Sequence, residues 1–254
     1  NTRYCHDKRY CGIGSLLRTG NLCNTEFCYN EVPLKLDVFD FNAFERDPTA
    51  FYITCTDVES GKPVYHEYCG RKDHGFDWIR ASASLPVVSQ IVEIDGLKLL
   101  DGGIADSIPV AYFERIGYTQ NVVILTQPQG YRKEKNQLLP LIRVKYRHYP
   151  NLVKALEVRH LMYNAELDLI QEQEKRGDLF VIRPHSSLPV KRMEKDPAKL
   201  KTCYELGRQA AETAQERLLA FLKKMRERLP QTLPTRTQKS IRIPRYGCFS
   251  MYER

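Results

Sequence analysis

The stretch "VEIDGLKLLDGG", residues 92–103, constrains the chain most. Two short apolar runs, Val92–Ile94 and Leu97–Leu100, flank the pair Asp95-Gly96. A two-residue Asp-Gly loop needs positive φ at both positions and twists as paired strands do, so it reads as a β-hairpin. The register then follows, and the second strand ends at Asp101, before Gly102 and Gly103. A carboxylate at a strand end is where α/β sheets build sites, and glycines allow the chain to turn and approach a neighbour closely. The bland reading is a turn aspartate, since Asp-Gly is a common turn dipeptide.

Around the hairpin the pattern alternates. A short helix at Asn42–Arg46 precedes a strand at Phe51–Thr56, a Ser60–Pro63 turn and a return strand at Val64–Tyr68. Asp77–Ser84 reads as a helix stopped by Pro86. Pro109–Ile116 reads as a helix ended by Gly117, and "NVVILT", 121–126, as a strand buried on both faces. Strand 97–100, this helix and strand 121–126 make a β-α-β unit, which favours an α/β sheet. Residues 1–30 read as loop.

Charge divides the chain. Residues 1–130 hold 12 Lys+Arg and 17 Asp+Glu, whereas residues 131–254 hold 27 and 14. The second half reads as a helix from Pro150 to Gly177, a strand at 178–184, a long helix from Asp196-Pro197 and a tail. Boundaries follow at 1–130, 131–230 (basic, mainly helical) and 231–254 (tail). Alternating charge on solvated helix faces accounts for the basic balance, and no nucleic-acid partner is expected. No run of 18 apolar residues marks a membrane span. The eight cysteines form no C-x-x-C and no zinc spacing with the six histidines. They read as reduced thiols of a cytoplasmic protein, with a disulfide or a metal among the first four as the alternative. No metal and no cofactor is expected.

"RASASLPVVSQIVEIDGLKLLDGGIADSIPV", residues 80–110, resembles the second half of bacterial patatin-like phospholipases. There a small-residue segment ending in proline, here Ala81–Pro86, precedes a hairpin delivering D-G-G, here Asp101-Gly102-Gly103. The resemblance runs over roughly 15–230, with the helical C-terminal region like that of one bacterial subgroup. It implies an α/β fold, a patatin-like three-layer sandwich with a central, mainly parallel sheet plus C-terminal helices. It also implies a serine lipid acyl hydrolase with a Ser-Asp dyad, in which Asp101 is the general base. Lipid esters or phospholipids would be the substrates, and the basic helices would touch the membrane surface.

The chain departs from the family upstream. Neither a glycine-rich oxyanion loop nor a G-x-S-x-G nucleophile elbow occurs in its 254 residues. Gly12-Ile13-Gly14-Ser15 is the nearest imitation, but Ser15 follows its second glycine. Ser82 and Ser84 fall on the packing segment. The chain is therefore expected to start after the nucleophile and the first strands of the sheet, and to be inactive alone. The alternative is a non-catalytic lipid- or partner-binding protein that keeps the fold.

Overall fold

The computed structural model describes residues 2–191 and 194–228; the 231–254 tail lies outside them. The hairpin forms as its Asp-Gly loop dictates. Strand β3 (Val92–Ile94) pairs antiparallel with β4 (Leu97–Asp101), Ile94 opposite Leu97 and Val92 opposite Leu99. Asp95 and Gly96 take φ of 50° and 80°, the left-handed pair such a turn requires.

Two further strands complete this sheet, β1 (Tyr52–Asp57) and β2 (Pro63–Glu67), in the order β2-β1-β4-β3, all antiparallel. The sheet is buried on both faces at its centre, and consecutive residues of β4 show this. Leu99 points into a core with Ile53, Cys55, Val92 and the helix α3 (Asp77–Ser82) residues Trp78 and Ala81. Leu100 points the other way, toward Val58, Ile104 and two later helices. These are α5 (Leu139–Lys145), contributing Ile142, and α6 (Pro150–Arg176), contributing Leu152 and Leu156.

A second, two-stranded sheet pairs β5 (Asn121–Ile124) with β6 (Leu179–Ile182) in parallel. The crossover is made by α5 and α6. The pair is covered by Ile170 of α6, Val110 of α4 (Val110–Arg115) and α7 (Pro197–Arg228), where Phe221 meets Phe180 at 5.7 Å. The fold is thus mixed α/β. Parallel pairing is confined to β5–β6 among the described residues.

Three expectations are corrected here. The unit of strand 97–100, helix and strand 121–126 does not form, because β5 pairs with β6 and not with the hairpin sheet. Nor is β5 buried on both faces: Val123 points into the core, while Val122 and Ile124 are 41% and 75% exposed. An apolar run cannot reveal which of its faces is covered. Residues 1–30 are not all loop either. They contain α1 (Ile13–Thr19), closed by Gly20 in the left-handed conformation, and the start of a π-helical segment, Phe27–Leu36.

The ends of α1 are tied by a disulfide between Cys11 and Cys23, beside a backbone bond from Gly12 N–H to the Leu22 carbonyl. These two are not reduced thiols; Cys5, Cys28, Cys55, Cys69 and Cys203 are free. Cysteine spacing alone cannot choose a partner, which chain folding brings together. A loop of this length is worth about 3 kcal/mol in chain entropy.

Two outcomes follow from this packing. Peptide mapping after alkylation without reductant should return a Cys11–Cys23 cross-linked pair, with Cys5, Cys28, Cys55, Cys69 and Cys203 alkylated. Gly102 abuts β1 so closely that an added Cβ would lie 2.1 Å from the Thr54 carbonyl oxygen. Gly102→Ala should therefore cost about 1–3 kcal/mol, as overpacking does, and lower Tm in thermal denaturation.

Candidate active site

Asp101 ends β4 opposite Cys55 of β1. Its backbone is held on both sides: its N–H donates to the Ser84 carbonyl at 3.0 Å, and its carbonyl accepts from Thr56 Oγ1 at 2.9 Å. Thr56 is fully buried. The part-buried carboxylate accepts the Gly103 N–H at 2.8 Å and so caps the short 3₁₀ turn Gly102–Ile104. Strand pairing fixes the main chain, and the Asx-type cap fixes the carboxylate. Burial, and then the nearby Asp101 charge, push the Cys55 thiol up to about 12, which keeps it uncharged at neutral pH.

The serines singled out by the sequence are engaged with backbone carbonyls. Ser15 is buried in α1 and donates to Asn21 O at 2.8 Å. Ser82 donates to Thr54 O at 2.8 Å, and Ser84 to Arg80 O at 2.8 Å. Each hydroxyl staples a helix or turn. Ser107, passed over in the sequence, also borders Gly103 and donates to its carbonyl at 2.8 Å.

The D-G-G loop is clasped by α6. Arg159 Nε donates to the Gly103 carbonyl at 2.5 Å, and Glu166 Oε1 accepts the Ser107 N–H at 3.2 Å. Seven residues is close to two helical turns, so both side chains leave one face of α6. Beyond Ser107 the loop opens on a cavity of about 170 Å³ lined by Tyr65, Asp106, Ile108, Glu166 and Ile170. Tyr65 donates to the Asp106 carboxylate and stacks on Tyr112 with centroids 3.7 Å apart. Burial first, and the adjacent Asp106 charge second, push the Glu166 carboxyl up to about 8. Its Oε2 is buried with no hydrogen-bond partner.

Histidine chemistry is arranged elsewhere. His66 Nε2 lies 2.7 Å from Asp73 Oδ2, and its ring stacks on Trp78 at 3.8 Å. Such a pair could not be found by sequence spacing, because the loop after β2 sets its geometry. No group of three or more His, Cys, Asp or Glu could hold a metal among the described residues.

The hairpin that ends in Asp101-Gly102-Gly103 lies within one of the segments that comparison with known proteins recognises. A model of the patatin-like phospholipase family matches residues 8–114, which include α3, the hairpin and the D-G-G turn. This part of the chain is patatin-like. Beyond this patatin-like segment, residues 149–223 match a domain of unknown function (DUF6363). The chain is also 26% identical over 266 residues to the uncharacterized protein YjjU of Escherichia coli (strain K12), covering 95% of this chain and 68% of that protein. Arg159 and Glu166 thus reach the patatin-like loop from outside the patatin match.

The raised Glu166 carboxyl makes stability depend on pH. The folded state keeps the Glu166 proton up to about pH 8. The unfolded chain releases it near 4.5, the ordinary glutamate value. Stability from this group is therefore lost as pH rises from 4.5 toward 8. Glu166→Gln keeps the acceptor for Ser107 and removes the ionisation. It should raise Tm at pH 8 by about 2–4 °C, or about 1 kcal/mol, and leave Tm at pH 5 nearly unchanged in calorimetry.

Proposed function

We propose that this chain is the aspartate-bearing part of a serine lipid acyl hydrolase that works through a Ser-Asp dyad. The observation that carries the reading is Asp101, held at a strand end within a patatin-like segment by Ser84, Thr56 and Gly103. In this reading the nucleophile comes from a segment outside the 254 residues. Asp101 takes the proton from the serine hydroxyl as Oγ bonds to the ester carbonyl carbon. The carbon–oxygen bond to the alcohol then breaks, and Asp101 returns the proton to that alcohol. Water attacks the acyl-serine by the same route, releasing the acid and restoring the serine.

Lipid esters or phospholipids are the substrates that fit the family. Leu138, just before α5, and Leu141 and Val144 within it are exposed at three-residue spacing, with Arg143, which also pairs with Glu157, in the helix and Arg147 just after it. This combination supports peripheral contact with an anionic lipid surface. No helix of the described residues is long and apolar enough to cross a membrane.

Purified 1–254 should hydrolyse p-nitrophenyl butyrate no faster than buffer. A longer polypeptide that carries a G-x-S-x-G ahead of these residues should hydrolyse it. There Asp101→Asn should lower kcat by roughly 10²–10⁴, the usual worth of a general base. Hydrolysis by 1–254 that is lost on Asp101→Asn would show that the nucleophile lies within the chain. Failure of the longer polypeptide would favour the non-catalytic reading.

A further inference from the structure

We propose that Arg159 is a positioning residue for Asp101, which makes α6 part of the active site and not an accessory to it. The inference rests on reading Asp101 as the general base. It gives the region of unknown function a role: its first long helix holds the base in place and charged.

Three observations converge on Gly103. The Arg159 Nε–H donates to its carbonyl at 2.5 Å. Its N–H is the donor to Asp101 Oδ1. On its open side, the point where a Cβ would stand lies 3.0 Å from Asp101 Oδ1 and 3.3 Å from Arg159 Nη2. The guanidinium and the carboxylate therefore crowd the same small space, which only glycine leaves free. Arg159 thus holds the loop carbonyl through Nε, while its Nη2 borders the same open side of Gly103 as the carboxylate. Ser107 Oγ shares the Gly103 carbonyl, so the loop is pinned from within as well.

The position of Arg159 on α6 is not that of a surface cation. Leu152, Leu156, Arg159, Tyr163, Glu166, Ile170 and Gln173 recur at alternating steps of four and three, which is the inward stripe of the helix. Leu152 and Leu156 are buried against the hairpin sheet, and Ile170 against β5–β6. The guanidinium stands between these two apolar anchors, at the level of the D-G-G loop. Side-chain entropy that would weaken an exposed ion pair is limited there by packing.

The charge matters to the chemistry. Part-burial favours the neutral acid, and a base that is already protonated cannot take a serine proton. A cation beside the carboxylate offsets this and favours the ionised form. The titratable and charged groups about the loop are Cys55 from β1, Asp106 from the loop itself, Tyr65 from β2, Arg115 from α4, and Tyr163, Glu166 and Arg159 from α6. Of the two cations, Arg115 acts on Tyr65, and Arg159 is the one bound to the Gly103 carbonyl.

The test uses the 1–254 chain and needs no hydrolysis, so it fails or succeeds separately from the functional reading. Aspartate side chains are labelled with ¹³C, Asp101 Cγ is assigned with Asp101→Asn, and its titration is followed by NMR. Arg159→Gln keeps a donor for the Gly103 carbonyl but removes the charge. It should raise the Asp101 midpoint by about one pH unit, a tenfold change in proton affinity, within the range for loss of a close opposite charge. Arg159→Lys should restore most of the shift. Arg132→Gln, which removes a cation paired with Asp168 further along α6, should leave it unchanged. In the wild-type protein the Arg159 Nε–Hε resonance should move with the Asp101 midpoint, a reading that does not depend on any variant folding. An Asp101 midpoint unmoved in a folded Arg159→Gln variant, or an Arg159 resonance that ignores the Asp101 titration, overturns the proposal.

Discussion

Helix α6 packs its N-terminal half on the antiparallel hairpin sheet and its C-terminal half on the parallel pair, and the rest of the molecule is arranged around that double contact. Leu152 and Leu156 close the core under Leu100 and Ile104, and Ile170 closes the core over Val123 and Val181. The β1–β2 hairpin is fitted to the start of the helix. Gly61, at φ 68°, abuts the Asn151 carbonyl, while the Asn151 amide donates to the Glu59 carbonyl at 2.9 Å. A side chain at Gly61 would collide with the helix, so the turn and the helix position are one constraint. Between its two apolar anchors the same helix meets the loop that follows Asp101.

That loop collects polar groups that would be costly if left alone. The carbonyl of Gly103 takes Arg159 and Ser107, and the N–H of Ser107 finds Glu166. Tyr65 and Asp106 satisfy each other beside Glu166. Buried polar networks are stabilising when nearly every member is paired, and they then specify a single geometry. The Oε2 of Glu166 has no hydrogen-bond partner in this network, and burial together with the adjacent Asp106 charge raises its carboxyl. A proton held there reduces the repulsion between two carboxyl groups facing one cavity.

The sequence made the hairpin legible because local chemistry alone dictates an Asp-Gly turn of this kind. It also made α6 and α7 legible. Pro150 and Gly177 mark the ends of one, and Ala210, Ala214 and Met225 fall on the buried face of the other at helical spacing, although Leu222 stays exposed. The partners of β5 were not legible, since an apolar run of four to six residues carries no record of which strand it joins. Arg159 and Glu166 left a trace, two charged residues seven apart within a stripe whose other members are uncharged. The trace gains meaning once the stripe is known to face a loop more than fifty residues earlier. The Cys11–Cys23 bond left no usable trace, because any two of eight cysteines satisfy the sequence equally.

What the residues determined by themselves was the delivery of an aspartate to a strand end, with two glycines after it and the family likeness around it. Turn geometry, strand alternation and close approach act over a few residues, and they can be read directly. What tertiary structure decided was the company Asp101 keeps. Its carbonyl is held by Thr56, its N–H by Ser84, and a guanidinium from α6 is brought to the Gly103 carbonyl that follows it. Those contacts depend on where a sheet and a helix come to rest, which is set by summed apolar burial across the whole chain and not by any local pattern.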